Sequence, residues 1–150
     1  MWTNAMPRPG EDLDLAPKNI FIPQELKLKN APLPEDGNPA LPKLILGDRP
    51  GESKVWFKQD DQFKQPYVFA VVKIFSTDND YPQNIAAKVF ISLWQSMFNE
   101  HTRELKYTAQ LAGILYEMTS TKDSFGFKLL SYNDSFYKFF AEIFKEVETF

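Results

Sequence analysis

The chain has 150 residues, a net charge of −3, 43% hydrophobic and 25% charged residues, and no cysteine. That length suits one domain, and the balance is that of an ordinary globular protein, neither disordered nor fibrous. A small negative charge gives no electrostatic reason to bind nucleic acid or an anionic membrane, and the absence of thiols excludes disulfides, thiolate metal sites and a cysteine nucleophile. The start, Met1 to Gly10, has no apolar stretch of signal-peptide type, and no segment approaches the ~20 apolar residues of a membrane span. A cytoplasmic protein is the expectation.

Nine of the eleven prolines fall in residues 1–50, among them Pro7, Pro23, Pro34 and Pro42. Proline removes a backbone donor and holds its predecessor extended, so residues 1–50 are expected to form an extended arm without a long helix or central strand. Its apolar anchors are Ile20-Phe21-Ile22 and Leu44-Ile45-Leu46. Such an arm has few hydrogen-bond partners of its own and is expected to lie on another surface, in this chain or on a partner. Phe21, Ile22, Leu44 and Ile45 are the candidate partner contacts.

Residues 51–150 read as a folded unit. Glu52 to Lys58 predicts a short strand with Val55 and Phe57 on one face and Trp56 on the other. Tyr67 to Ser76 is apolar on both faces, which predicts a central strand. Asp78-Asn79-Asp80 and Pro82 suit the start of a helix running to about Phe98. Its polar residues Asn84, Lys88, Ser92, Gln95 and Asn99 form one narrow stripe, so a mostly buried helix is expected. A second helical piece spans roughly Glu100 to Leu111 and stops at Gly113.

Ile114–Thr121 and Phe125–Tyr132 predict a hairpin turning through Lys122-Asp123-Ser124. Asn133 or Asp134 should cap a last helix in which Phe136, Phe139, Phe140, Ile143, Phe144 and Val147 recur at helical spacing. The order is β-β-α-α-β-β-α, an α+β fold with helices on a largely antiparallel sheet. The expected buried set is Val55, Phe57, Phe69, Val71, Phe75, Phe90, Trp94, Phe140 and Phe144.

Catalytic motifs fail on inspection. His101-Thr102-Arg103-Glu104-Leu105 begins like H-x-x-E-H, but Leu105 stands where the second imidazole is required, and His101 is the only histidine. Its plain reading is a helix-surface residue beside charged neighbours. Asp60 and Asp61 are adjacent in an extended segment and point to opposite sides, so a solvated turn is expected rather than an acid–base pair. Asp78, Asn79 and Asp80 lack the glycine and distal glutamate of a calcium loop. Gly47 and Gly51 bracket an ordinary turn, not a phosphate loop. No catalytic, metal or cofactor residue is predicted.

Four blocks resemble one family. Trp56-Phe57-Lys58-Gln59-Asp60-Asp61-Gln62-Phe63 is similar to the segment opening the middle domain of the insulysin-type (pitrilysin) inverzincin metallopeptidases. Asn19-Ile20-Phe21-Ile22-Pro23 resembles the hinge before it. Asn99-Glu100 with Ala109-Gln110-Leu111-Ala112-Gly113, and Ser131-Tyr132-Asn133-Asp134, follow in the same order. The resemblance implies a catalytically silent α+β domain, part of the chamber around peptide substrates. The family's zinc ligands belong to another domain, so none is carried over here.

Three readings follow. The first is a non-catalytic interaction or scaffold module that docks on protein partners, either the remainder of a peptidase or a larger complex. The second is the chamber segment of an active zinc metalloendopeptidase whose zinc-binding domain lies outside this sequence. The third is an independent small binding domain.

Overall fold

A computed structural model describes residues 17–29, 32, 35, 37–47, 49, 53–75, 84–121 and 124–150. The elements are β1 (Lys43–Leu46), β2 (Val55–Phe57), β3 (Tyr67–Phe75), α1 (Ile85–His101), α2 (Arg103–Leu111), β4 (Leu115–Ser120), β5 (Ser124–Tyr132) and α3 (Asn133–Thr149). The α+β class holds, with one strand more than the sequence suggested. Leu44-Ile45-Leu46, read as an anchor in the arm, pairs antiparallel with β2 in a separate two-stranded ribbon. The Asp78–Asp80 turn, Pro82, and Lys122 and Asp123 of the hairpin lie outside the described residues.

The main sheet has the order β3-β5-β4, antiparallel throughout. Of the run predicted as the centre, Tyr67–Phe75 therefore lies at an edge among the described residues, and β5 takes the middle. A glycine at the crossing permits this. The Cβ that any other residue would carry at Gly126 falls 1.9 Å from the Val72 carbonyl oxygen, so β3 comes closer there than a side chain would allow.

One face of the sheet carries the core. Pleating puts Ala70, Leu129 and Tyr116 in one cross-strand row and Val72, Phe127 and Met118 in the next. α3 lies over these rows. Phe139 and Ile143 are fully buried, and Phe140 and Phe144 approach Phe127 with ring centroids 6.3 and 5.6 Å apart. Aromatic pairs at such separations add about 0.5–1.5 kcal/mol each beyond the area they bury.

The α2–β4 turn is a Schellman stop. Gly113 adopts φ +80°, its N–H donates to the Gln110 carbonyl, the Ile114 N–H donates to the Ala109 carbonyl, and the Ile114 side chain is buried. Thr102 divides α1 from α2, its hydroxyl donating back to the Phe98 carbonyl at 2.7 Å.

The start of α3 differs from expectation. Neither Asn133 nor Asp134 caps it by a side-chain bond; Tyr132 is the flanking residue and the helix begins at Asn133. Both side chains instead hold the arm: the Gln24 N–H donates to Asp134 Oδ2 at 2.9 Å, and Asn133 Nδ2 donates to the Lys27 carbonyl at 3.2 Å. Deeper in, Ser135 Oγ donates to the Phe21 carbonyl at 2.6 Å, and the Phe21 ring meets Phe139 edge-on at 5.6 Å.

The expected buried set divides. Trp94, Phe140 and Phe144 are partly buried against the core, whereas Val55, Phe57, Phe69, Val71, Phe75 and Phe90 are each more than a third exposed. Only one face of the sheet is covered by helices, and the β1–β2 ribbon stands in a separate sheet, so apolar character alone does not bring these residues inside.

Two outcomes follow. Phe21→Ala should cost about 3–5 kcal/mol in urea unfolding, because it empties a filled core position from the arm side. Gly126→Ala should cost about 1–3 kcal/mol by forcing β3 and β5 apart; an unchanged midpoint for either variant would contradict the packing described.

Candidate interaction surface

The residues with catalytic promise in the sequence occupy structural positions. His101 ends α1, and its Nε2 lies 2.8 Å from Glu146 Oε2 of α3, with the ring 5.0 Å from that of Phe150. It ties two helices together at the surface. Among the described residues no group of three or more His, Cys, Asp or Glu could hold a metal ion.

Asp60 and Asp61 do point apart, as adjacent extended residues must. Asp60 accepts the N–H groups of Gln62 and Phe63, an Asx-type turn whose backbone donors hold its carboxyl below the ordinary aspartate range. Asp61 is a correction to the solvated turn. It is only 4% exposed, accepts the Ala40 N–H at 2.7 Å and pairs with Lys58 Nζ at 3.2 Å. The Ala40 N–H is the larger influence depressing its pKa, and Lys58 adds to it.

Other polar groups are also internally committed. Lys106 is partly buried, donates to Asn99 Oδ1 at 2.8 Å and sits 5.3 Å from the centre of the Tyr116 ring. Burial lowers the Lys106 pKa and pushes the Tyr116 phenol up to about 12. The Tyr67 and Tyr132 hydroxyls lie 3.0 Å apart, and the bond to Tyr132 raises the Tyr67 pKa, with burial adding to it. None of these faces a substrate-sized cavity with a nucleophile and a base in reach.

What the surface does offer is apolar. In α1 two residues of the polar stripe are engaged within the fold, Gln95 Nε2 donating to the Thr119 carbonyl at 3.4 Å and Asn99 taking the Lys106 ammonium, while Asn84 and Ser92 stay exposed. Phe98 is buried between Trp94 and Phe150. The opposite side then carries Ile85, Val89, Phe90, Leu93 and Met97, each more than half exposed. The sequence correctly reads a wide apolar face, but the described residues cover only one margin of it. Five large apolar side chains in one row exceed the scattered singles normal for a surface.

A second region lies at the start of β3. A groove of about 670 Å³ runs between β2 and β3, walled by Trp56, Phe57, Phe63 and Phe69 with Gln62 and Gln65. Of the four arm residues expected to meet a partner, Phe21 is consumed by the chain's own core, whereas Ile22, Leu44 and Ile45 keep exposed side chains.

Both arm latches use carboxylates. Asp134 and Asp61 each accept a backbone N–H from the arm, at Gln24 and at Ala40, and each has its pKa lowered chiefly by that bond. A depressed folded pKa gives stability that is present above the unfolded value and lost as pH falls through the folded one. The protection of the Gln24 and Ala40 amides, relative to free amides at the same pH, should therefore fall below about pH 4, near the ordinary aspartate value. In Asp134→Ala, which removes the acceptor, the Gln24 amide should be fast at neutral pH too; a Gln24 amide equally slow in both proteins would remove the latch.

Comparison with known proteins places these features. The whole chain, residues 1–150, matches the family described as the middle or third domain of peptidase M16. It is 30% identical over 128 residues to Insulin-degrading enzyme-like 1, peroxisomal, of Arabidopsis thaliana, covering 83% of this chain and 12% of that protein. It is 30% identical over 138 residues to human Insulin-degrading enzyme, covering 91% and 13%. Against the mouse enzyme the figure is 32% over 122 residues, covering 80% and 11%. The chain thus spans about an eighth of the length of these relatives, and it belongs to the M16 peptidase family as a middle domain.

Proposed function

From membership in this peptidase family, we propose that the chain is a non-catalytic module that works by docking on another polypeptide through the outward stripe of α1. The observation that carries this reading is the exposed apolar row of α1. A solvent-facing helix keeps its polar residues outward, whereas α1 spends Gln95 and Asn99 internally and turns Ile85, Val89, Leu93 and Met97 outward. Burying such a side chain is worth about 1.5–3 kcal/mol, so a matching surface gains most of its affinity from this row. Ile22 on the arm and Ile45 on β1 extend the contact as separate apolar points.

The second reading, a chamber segment of an active zinc metalloendopeptidase, is favoured by the relatives' lengths. Each is a far longer protein named for degrading insulin, and this chain matches only 11–13% of it. On that reading the zinc ligands sit on polypeptide outside this sequence, and α1 is covered by the rest of the enzyme.

The experiment is purification of the native protein under mild conditions, with its associated chains identified by mass spectrometry and peptide hydrolysis assayed with and without a chelator. A zinc-motif chain with chelator-sensitive hydrolysis selects the chamber segment; other stable partners without hydrolysis select the scaffold module. In either case Val89→Glu with Leu93→Glu should strip the partner and leave helix content by circular dichroism unchanged, since both side chains face outward. A doubly substituted protein that keeps its partner defeats the docking role of α1.

A further inference from the structure

The main sheet leaves one long edge unpaired among the described residues. β3 runs nine residues and pairs only with β5. The phase of that ladder is set where the Asn133 N–H donates to the Pro66 carbonyl at 2.9 Å, one step beyond Tyr67 opposite Tyr132. In an antiparallel pair, residues of a hydrogen-bonded couple turn both polar backbone groups to each other, and the next couple turns them away. Val68, Ala70, Val72 and Ile74 therefore face β5. Tyr67, Phe69, Val71, Lys73 and Phe75 turn their N–H and C=O groups out along the edge. The approach of the Val72 carbonyl to Gly126 agrees with this phase.

Natural edge strands are usually short, bulged, proline-bearing or rich in charge. β3 pairs without a register break over its whole length and carries one charge, Lys73. We propose that this edge is a strand-addition site, filled by an extended, largely apolar segment of a partner polypeptide with an acidic residue opposite Lys73. The inference rests on the reading of the module as one that works with a protein partner.

The chemistry of the edge specifies a polypeptide rather than a charged small ligand. A row of alternating N–H and C=O groups about 30 Å long is matched only by another extended backbone. The groove at its start is aromatic, with neutral carboxamides. Of the charges beside it, Lys58 pairs with Asp61 and Asp60 accepts backbone N–H groups, leaving Lys29 as the further charged residue of the lining. Side chains on either side of an added strand would meet Phe69 and Val71 on the uncovered face, and Ala70 and Val72 on the other.

The test is residue-resolved amide exchange on the full chain, with an acetylated, amidated nonapeptide of alternating threonine and valine and a central glutamate as the probe. Without peptide, the amides of Val68, Ala70 and Val72 should be slow and those of Phe69, Val71 and Lys73 fast. With peptide, the second set should slow by about tenfold or more, as occupied edges are protected. Val71→Pro removes one outward N–H without touching the β5 ladder, so it should abolish the effect while the inner amides stay slow. Val89→Glu with Leu93→Glu should leave the peptide effect intact, which separates this site from the α1 surface.

Three results would overturn the proposal. They are an outward set already slow in the dilute chain, a peptide that protects none of these amides, and a protection that grows with protein concentration as the sedimenting mass doubles. The last would make the occupant a second copy of this chain.

Discussion

A sheet of three strands covered by helices on one face can bury only one set of its alternating side chains. That constraint governs the rest of the molecule. The covered face takes Leu129, Phe127 and Ala70 under Phe139 and Ile143, and the period of two then obliges Phe69, Val71 and Phe75 to point away. Apolar residues on the uncovered face are therefore a consequence of the strand's geometry and of what lies beside it. The same holds for α1, where the inward margin is filled by Trp94 and Phe98 and the remaining apolar residues are left uncovered by the described residues.

The arm solves a different problem. A proline-rich segment cannot satisfy its backbone by regular structure, and its order depends on borrowed partners. It borrows them at Thr108 through Asn19, at Ser135 through the Phe21 carbonyl, at Asp134 through Gln24 and at Asp61 through Ala40. Among the described residues of this segment, Phe21 is the one large side chain that enters the core. A buried ring flanked by hydrogen bonds to charged and hydroxyl groups gives both the hydrophobic gain and the register. The arm is thereby part of the domain rather than a tether to it.

Much of this was legible in the residues. The periodicity of Phe136 to Val147 defined α3, the Gly113 stop ended α2, and the two apolar runs on either side of Lys122-Asp123 placed the β4–β5 pair, because each signal is local and each element obeys it. The strand order was not legible. Tyr67–Phe75 is apolar on both faces, which reads as a central strand, but an edge strand with uncovered neighbours carries the same pattern. The roles of Asn133 and Asp134 were hidden for a similar reason: a residue suited to capping its own helix is equally suited to accept or donate to a distant backbone, and only the fold brings Gln24 and Lys27 there. Asp61 looked solvated because its burial depends on Ala40, twenty-one residues away. The wide apolar face of α1 was read correctly as a composition and wrongly as a burial, since its cover lies on no described residue.

Three of the four blocks that carry the family resemblance meet in space and the fourth meets the arm beyond the hinge block, and this bears on what the resemblance means. Asn19 of the hinge block donates to Thr108, next to the Ala109–Gly113 block; Phe21 of the same block is held by Ser135, next to the Tyr132-Asn133-Asp134 block; and Gln59 of the Trp56–Phe63 block donates to the carbonyl of Lys29. Residues that meet through backbone carbonyls and a buried ring constrain geometry, not reactivity. A signature built of such contacts identifies how the arm is fastened to the domain, and the same fastening serves an active enzyme or a silent scaffold equally well. Function therefore divides on the surfaces the signature leaves free, the outward row of α1 and the open edge of β3, for which the described residues supply neither apolar cover nor backbone partners.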